Sequence, residues 1–200
     1  MRPLHDFIVN VPNLYRDAVK VGDLDLVLDT RFDDFEGRIA YGKIVALPLK
    51  ARDVDPRVEV GDTLIFHHHI NQQPEEYGIG DDNYLVAWDY ATPNGQAYAA
   101  MKESGEIIML GDWIFLLATS EKIQENTTES GIFLGNVLEE VSCEALVYCT
   151  GDGTDELGIG AGDKVRYTKN HDYRINLPNG DQVFRMKPSG VIFVYETDVE

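Results

Sequence analysis

Apolar residues in this chain come in short runs, each bounded by Gly, Pro, Asn or Asp, and that pattern predicts strands separated by turns. Residues 4–11 (Leu-His-Asp-Phe-Ile-Val-Asn-Val) predict a first strand, and 39–49 a second that stops at Pro48. Further strands are expected over 63–70, 84–88, 97–101 and 106–110. The series resumes with 113–117, 130–134, 143–149, 164–167, 182–186 and 191–195. Amphipathic helical spacing does not extend beyond about two turns, so the fold class expected is all-β.

The order of these runs repeats. Gly61-Asp62-Thr63-Leu64-Ile65-Phe66 has a counterpart in Gly162-Asp163-Lys164-Val165-Arg166-Tyr167, a Gly-Asp turn leading into a strand in each case. Gly supplies the positive φ of a tight turn, and Asp hydrogen-bonds nearby backbone. Pro93-Asn94-Gly95 is echoed by Pro178-Asn179-Gly180, and Met101-Lys102-x-Ser104-Gly105 by Met186-Lys187-x-Ser189-Gly190. The Gly-Asp turns are 101 residues apart and the Met-Lys turns 85, which places about 16 additional residues of the first copy within 71–97. Such insertions collect in exposed hairpins. The repeat divides the chain near Leu110, with a first β-barrel over residues 1–110 and a second over 111–200.

Composition narrows the partners. The net charge is −18, with 10 Lys+Arg against 19 Asp+Glu in residues 1–107 and 7 against 16 in 108–200. The excess is spread over both halves, and it argues against nucleic acid or an anionic membrane surface as a partner. No apolar stretch is long enough to span a membrane, and the N-terminus lacks a signal-peptide core. Cys143 and Cys149 share one strand, too far apart to bridge each other, and are expected to be buried thiols in a reducing cytoplasm. Asn126-Thr127-Thr128 matches a glycosylation acceptor by chance on that reading.

Taken in order, the landmarks resemble the GroES-type co-chaperonins. Arg2-Pro3-Leu4-His5-Asp6 is similar to the opening of that family, and Val60-Gly61-Asp62 to its central turn. Met101-Lys102-Glu103-Ser104-Gly105-Glu106-Ile107 is similar to its closing element, and Gly131-Ile132-Phe133-Leu134 to its mobile-loop segment. The arrangement also resembles the double-domain co-chaperonins of plastids. The resemblance implies two tandem GroES-like small β-barrels with mobile loops and hairpin insertions. It also implies a ring-shaped homo-oligomer that caps a chaperonin ring in its ATP-bound state, in the cytoplasm, without enzymatic activity or cofactor. A competing reading keeps the barrel but makes the protein a structural or assembly component, for example of a virus particle.

On the co-chaperonin reading the partner-binding residues are Ile132, Phe133 and Leu134, and less strongly Leu26, Val27 and Leu28. Each triplet is an apolar island in a polar, Gly-bearing stretch. Burying such side chains yields about 1.5–3 kcal/mol each, while ordering a loop costs about 1–2 kcal/mol per residue. One loop then binds weakly, and several on a ring bind together. The alternative makes both triplets ordinary barrel-strand residues.

Other chemistry is not expected. On a strand His67 and His69 would face one way and His68 the other. Two His on one face could bind a metal, but no carboxylate or Cys is fixed nearby by spacing, so solvated or half-buried strand residues are expected there. Gly158-Ile159-Gly160-Ala161-Gly162 lacks the strand-then-helix context of a nucleotide loop and reads as part of the Gly-Asp turn. No nucleophile-elbow, zinc-protease or Cys-x-x-Cys motif occurs, and no catalytic residue is assigned. GroES-like barrels also occur in zinc alcohol dehydrogenases, but this chain lacks the nucleotide-binding domain that accompanies them.

Overall fold

The computed structural model describes residues 3–13, 18–21, 24–27, 39–49, 54–88, 95–117, 123–127, 133–138, 143–169 and 173–195. The first half contains β1 (Asp6–Asn10), β2 (Ala18–Val21), β3 (Leu24–Val27), β4 (Tyr41–Ala46) and β5 (Thr63–Phe66). Two single-turn helices follow, α1 (His69–Gln72) and α2 (Pro74–Tyr77), then β6 (Gly78–Gly80), β7 (Asn83–Ala87), β8 (Ala97–Met101) and β9 (Ile107–Met109). The second half contains β10 (Ile114–Leu117), β11 (Ile123–Thr127), β12 (Phe133–Leu138), β13 (Glu144–Thr150) and β14 (Lys164–Tyr167). It ends with β15 (Tyr173–Asn176), β16 (Gln182–Met186) and β17 (Val191–Val194). The fold is all-β, and no helix among the described residues is long and apolar enough to cross a membrane.

Two antiparallel sheets hold most of the strands, in the orders β6-β7-β1-β4-β5-β8-β9 and β15-β16-β10-β13-β14-β17. They are one diagram drawn twice. The pairings β1·β4, β4·β5, β6·β7, β1·β7 and β5·β8 correspond one by one to β10·β13, β13·β14, β15·β16, β10·β16 and β14·β17. Even the irregularity is shared. The register of β1 on β4 slips between Ile8 and Val9, and that of β10 on β13 between Phe115 and Leu116. A bulge bends its strand and raises the twist, which curls a sheet toward a barrel. In the first unit the curl closes at Gln96. Its N–H donates to the Ala87 carbonyl (3.2 Å), at the end of β7, and its own carbonyl accepts from His67 N–H (2.8 Å), just past β5.

The Gly-Asp turns are the most faithful part of the repeat. Gly61 and Gly162 have φ of +99° and +92°, which a side chain would strain. Asp62 accepts from Glu59 N–H at 2.8 Å, and Asp163 from Gly160 N–H at 2.8 Å. Gly61 N–H donates to the Ile44 carbonyl (2.9 Å), and Gly162 N–H to that of Val147 (2.8 Å).

The Met-Lys-x-Ser-Gly match is a different matter. Both copies make the same local turn, with Gly105 N–H donating to the Lys102 carbonyl (3.0 Å) and Gly190 N–H to that of Lys187 (2.9 Å). But Met101 ends β8, which pairs with β5, whereas Met186 ends β16, which pairs with β10. The two copies join non-equivalent strands. The additional residues of the first unit therefore do not form one hairpin. Residues 67–77, with α1 and α2, stand where the second unit has only 168–172, and 88–96 stand where it has 187–190. β9 is a further strand, laid on the outer side of β8.

Three apolar clusters organise the packing. Phe7, Val9, Ile44, Leu64, Phe66 and Val86 fill the first unit, and Ile114, Leu116, Val147, Val165, Tyr167 and Met186 fill the second. A third cluster joins them. Ile65, Tyr98, Ala99 and Met109 from the first sheet pack with Trp113, Phe115, Ile175, Leu177 and Val183 from the second. This is why β5 is buried at all four positions: one face lines its own interior and the other is covered by the second sheet. The bulge also separates the cysteines. Cys143 packs against the interior cluster of the second unit, while Cys149 packs on the shared one, its sulfur 3.3 Å from that of Met109. Both are half-buried rather than the buried thiols expected from the usual burial of free cysteine.

Candidate functional site

Two hairpins stand apart from the main sheets. β2 and β3 form a two-stranded sheet of their own, and so do β11 and β12. Each is inserted at the same point of its unit, between β1 and β4 or between β10 and β13. The apolar triplets lie on them, but not at matching positions. Leu26 and Val27 are the last residues of β3, opposite Val19 and Ala18, at the base of the hairpin; Leu28 lies outside the described residues. Phe133 and Leu134 open β12, with Phe133 opposite Thr127 at the tip end; Ile132 lies outside the described residues. The described members of both triplets are thus held by hairpins rather than by the main sheets.

A second constellation sits where the two sheets meet. β5 ends at Phe66, so His67-His68-His69 does not alternate as a strand would; His68 turns and His69 opens α1. The turn gathers the imidazoles, with ring centroids 4.6, 4.3 and 4.4 Å apart and their possible ligand atoms within 4.8 Å of one another. Tyr173 of the second sheet stacks on His67 and His68, at 5.2 Å from each. Burial, helped by the neighbouring His68, Arg185 and His69, holds the His67 pKa down to about 3, so this ring is neutral. Its Nδ1 accepts from His69 N–H (3.1 Å), which places the ring proton on Nε2. The three rings are close enough to attract a metal, but they do not fit one. Nδ1 of His67 is engaged, His67 stacks nearly parallel to both of its neighbours, and the Arg185 charge opposes a cation.

Arg185 is the centre of this region. Its guanidinium lies 4.9, 4.8 and 4.7 Å from the ring centroids of Tyr98, Trp113 and Tyr173. Burial lowers its pKa, and burial raises that of Tyr98, which is fully enclosed. Beside them lies a cavity of about 350 Å³, lined by His67, His69, Gln96, Tyr98, Trp113 and Arg185 among others. The His triplet was visible in the sequence. Tyr98, Trp113, Tyr173 and Arg185 were not, because they are scattered along four separate segments and meet only through the packing of the sheets.

Residues 106–195 match the family model of the chaperonin 10 Kd subunit. That stretch runs from β9 to β17 and includes the β11–β12 hairpin. No curated protein matches the chain.

Proposed function

We propose that the chain is a tandem, two-unit relative of the chaperonin 10 Kd subunits, divided near Leu110, and that it caps a chaperonin ring as a non-enzymatic co-chaperonin in the cytoplasm. The observation that carries this reading is the family match over residues 106–195, which takes in the hairpin bearing Phe133. The first unit supports it by repeating the five strand pairings and inserting a hairpin at the same point. In this reading Ile132, Phe133 and Leu134 dock into apolar grooves of the ATP-bound chaperonin, and Leu26, Val27 and Leu28 assist. Each loop contributes only the surplus of burial over ordering, so attachment depends on several loops acting together. A ring-shaped homo-oligomer supplies them. β17 is an edge strand that exposes Ile192 and Phe193, as a subunit contact requires.

The test is to mix the protein with a chaperonin and ATP. Co-migration on gel filtration with a changed rate of ATP hydrolysis is the expected result. Folded protein that neither co-migrates nor alters hydrolysis would overturn the reading. It would favour the second one, a structural or assembly protein that keeps the barrel and binds another shell. The specific support for that alternative is that the family match takes in only the last few residues of the first unit, whose Leu26 and Val27 lie at the hairpin base.

A further inference from the structure

The cavity between the two sheets is cationic in a protein of net charge −18. No Asp or Glu is among the described residues that line it, and no described carboxylate pairs with Arg185. Arg185 Nε is buried and lacks a hydrogen-bond partner among the described residues. The hydroxyl of Tyr98, a residue with no exposed surface that lines the same cavity, has no partner in good hydrogen-bond geometry either; its polar neighbour is the Arg185 guanidinium, whose charge and proximity favour the ionised phenol against burial. A buried cation and a buried hydroxyl are both costly without partners, and native structures seldom leave them so unless something else supplies the bond.

The remaining polar groups point to the same kind of ligand. His67, with Nδ1 accepting from His69 N–H, has Nε2–H to offer. Gln96 uses its Oε1 to accept from Ala87 N–H (3.0 Å), which leaves its amide NH₂ as the donor end. The side chains whose bonding is accounted for are thus donors, around one positive charge with aromatic walls. We propose that this cavity binds a small oxyanion, a phosphate or carboxylate group, held by the Arg185 guanidinium with the Tyr98 hydroxyl and the Gln96 amide. A guanidinium takes such a group through two parallel N–H···O bonds, a geometry that a metal cation cannot use. At about 350 Å³ the cavity has room for an anionic group carrying a modest organic substituent. The proposal does not depend on chaperonin binding.

The test is NMR titration of the full chain with inorganic phosphate and, separately, with acetate and succinate, at constant ionic strength against a chloride background. The readouts are the Arg185 Nε–H and Trp113 indole N–H signals. A saturable shift with either class of anion is expected, and the tighter of the two identifies the group. Tyr98→Phe keeps the ring and removes only the orphaned hydroxyl. It is expected to fold at least as stably as the parent and to weaken anion binding about tenfold. Arg185→Gln is expected to abolish binding. Shifts that are linear and follow chloride equally would overturn the proposal. So would saturation by zinc in place of the anions, or unchanged affinity in a folded Tyr98→Phe.

Discussion

The first and second units share five strand pairings, a bulge and a Gly-Asp turn, yet the family model matches only residues 106–195. The shared features are backbone features. Ladder hydrogen bonds and a positive-φ glycine accept many side chains, so a topology persists under sequences that no longer look alike. The differences lie in what is attached. The first unit carries α1, α2 and β9, and its Leu26 and Val27 lie at the base of a short hairpin. The second carries Phe133 and Leu134 at the tip end of a longer one. The architecture is common to both units, and the proposed docking chemistry is concentrated in the second.

The strongest way to break the comparison is at its closest backbone approaches. A Cβ at Gly151 would stand 2.0 Å from the Gly111 carbonyl oxygen, backbone that cannot step aside. Gly151→Ala is expected to cost about 3 kcal/mol in denaturant unfolding. Gly42→Ala in the first unit meets the Asn10 carbonyl oxygen at 2.6 Å and should rank next. Both variants are expected to unfold in one transition, because the units share a cluster. Two separate transitions would show that the units are independent.

Next in size is the docking contrast. Phe133→Asp is expected to lower chaperonin affinity by roughly tenfold or more, the loss of one buried aromatic, and Leu26→Asp by less. Surface plasmon resonance on immobilised chaperonin measures both. Equal losses would remove the distinction between tip and base. A smaller effect separates the two Gly-Asp turns. Asp62→Ala and Asp163→Ala each delete one side-chain bond to backbone, about 1 kcal/mol by thermal melts. Asp62→Ala should be the worse, since Asp62 also faces the Lys102 ammonium at 3.0 Å.

The smallest effect expected is in acid. Hydrogen bonds from Lys164 and Tyr195 hold the Glu144 carboxyl below its usual range. Its folded pKa lies under the unfolded one. The contribution is therefore present above the ordinary carboxylate range and is lost as pH falls through the depressed value. Glu144→Gln should flatten the stability profile there by a small loss at neutral pH, with almost no change in acid below the depressed value, as pH-dependent melts would record.

Most strands of the main sheets were legible, because apolar runs such as Thr63–Phe66 and Ile114–Leu117 end at turn residues. β2, β6, β11 and β15 were not. Each is short or polar and pairs within a hairpin, so no periodic signal marks it. The Met-Lys-x-Ser-Gly repeat misled for a related reason. A sequence records the turn that a segment makes, but not which strand its neighbours will join. The positions of the triplets were readable, whereas the hairpins that hold them were not. The Tyr98–Arg185 region was invisible, since it depends on the outer face of one sheet being covered by the other.

That covering has a consequence for symmetry. In a ring of single-unit chains every joint is alike, non-covalent and free to adjust. In a ring of this chain every second joint lies inside a polypeptide and is filled by Tyr98, Trp113 and Phe115. Joints of two kinds then alternate around the circle. In the proposed ring the rotational symmetry would be half the number of barrels, that number would be even, and opening and closing would fall to the joints between chains.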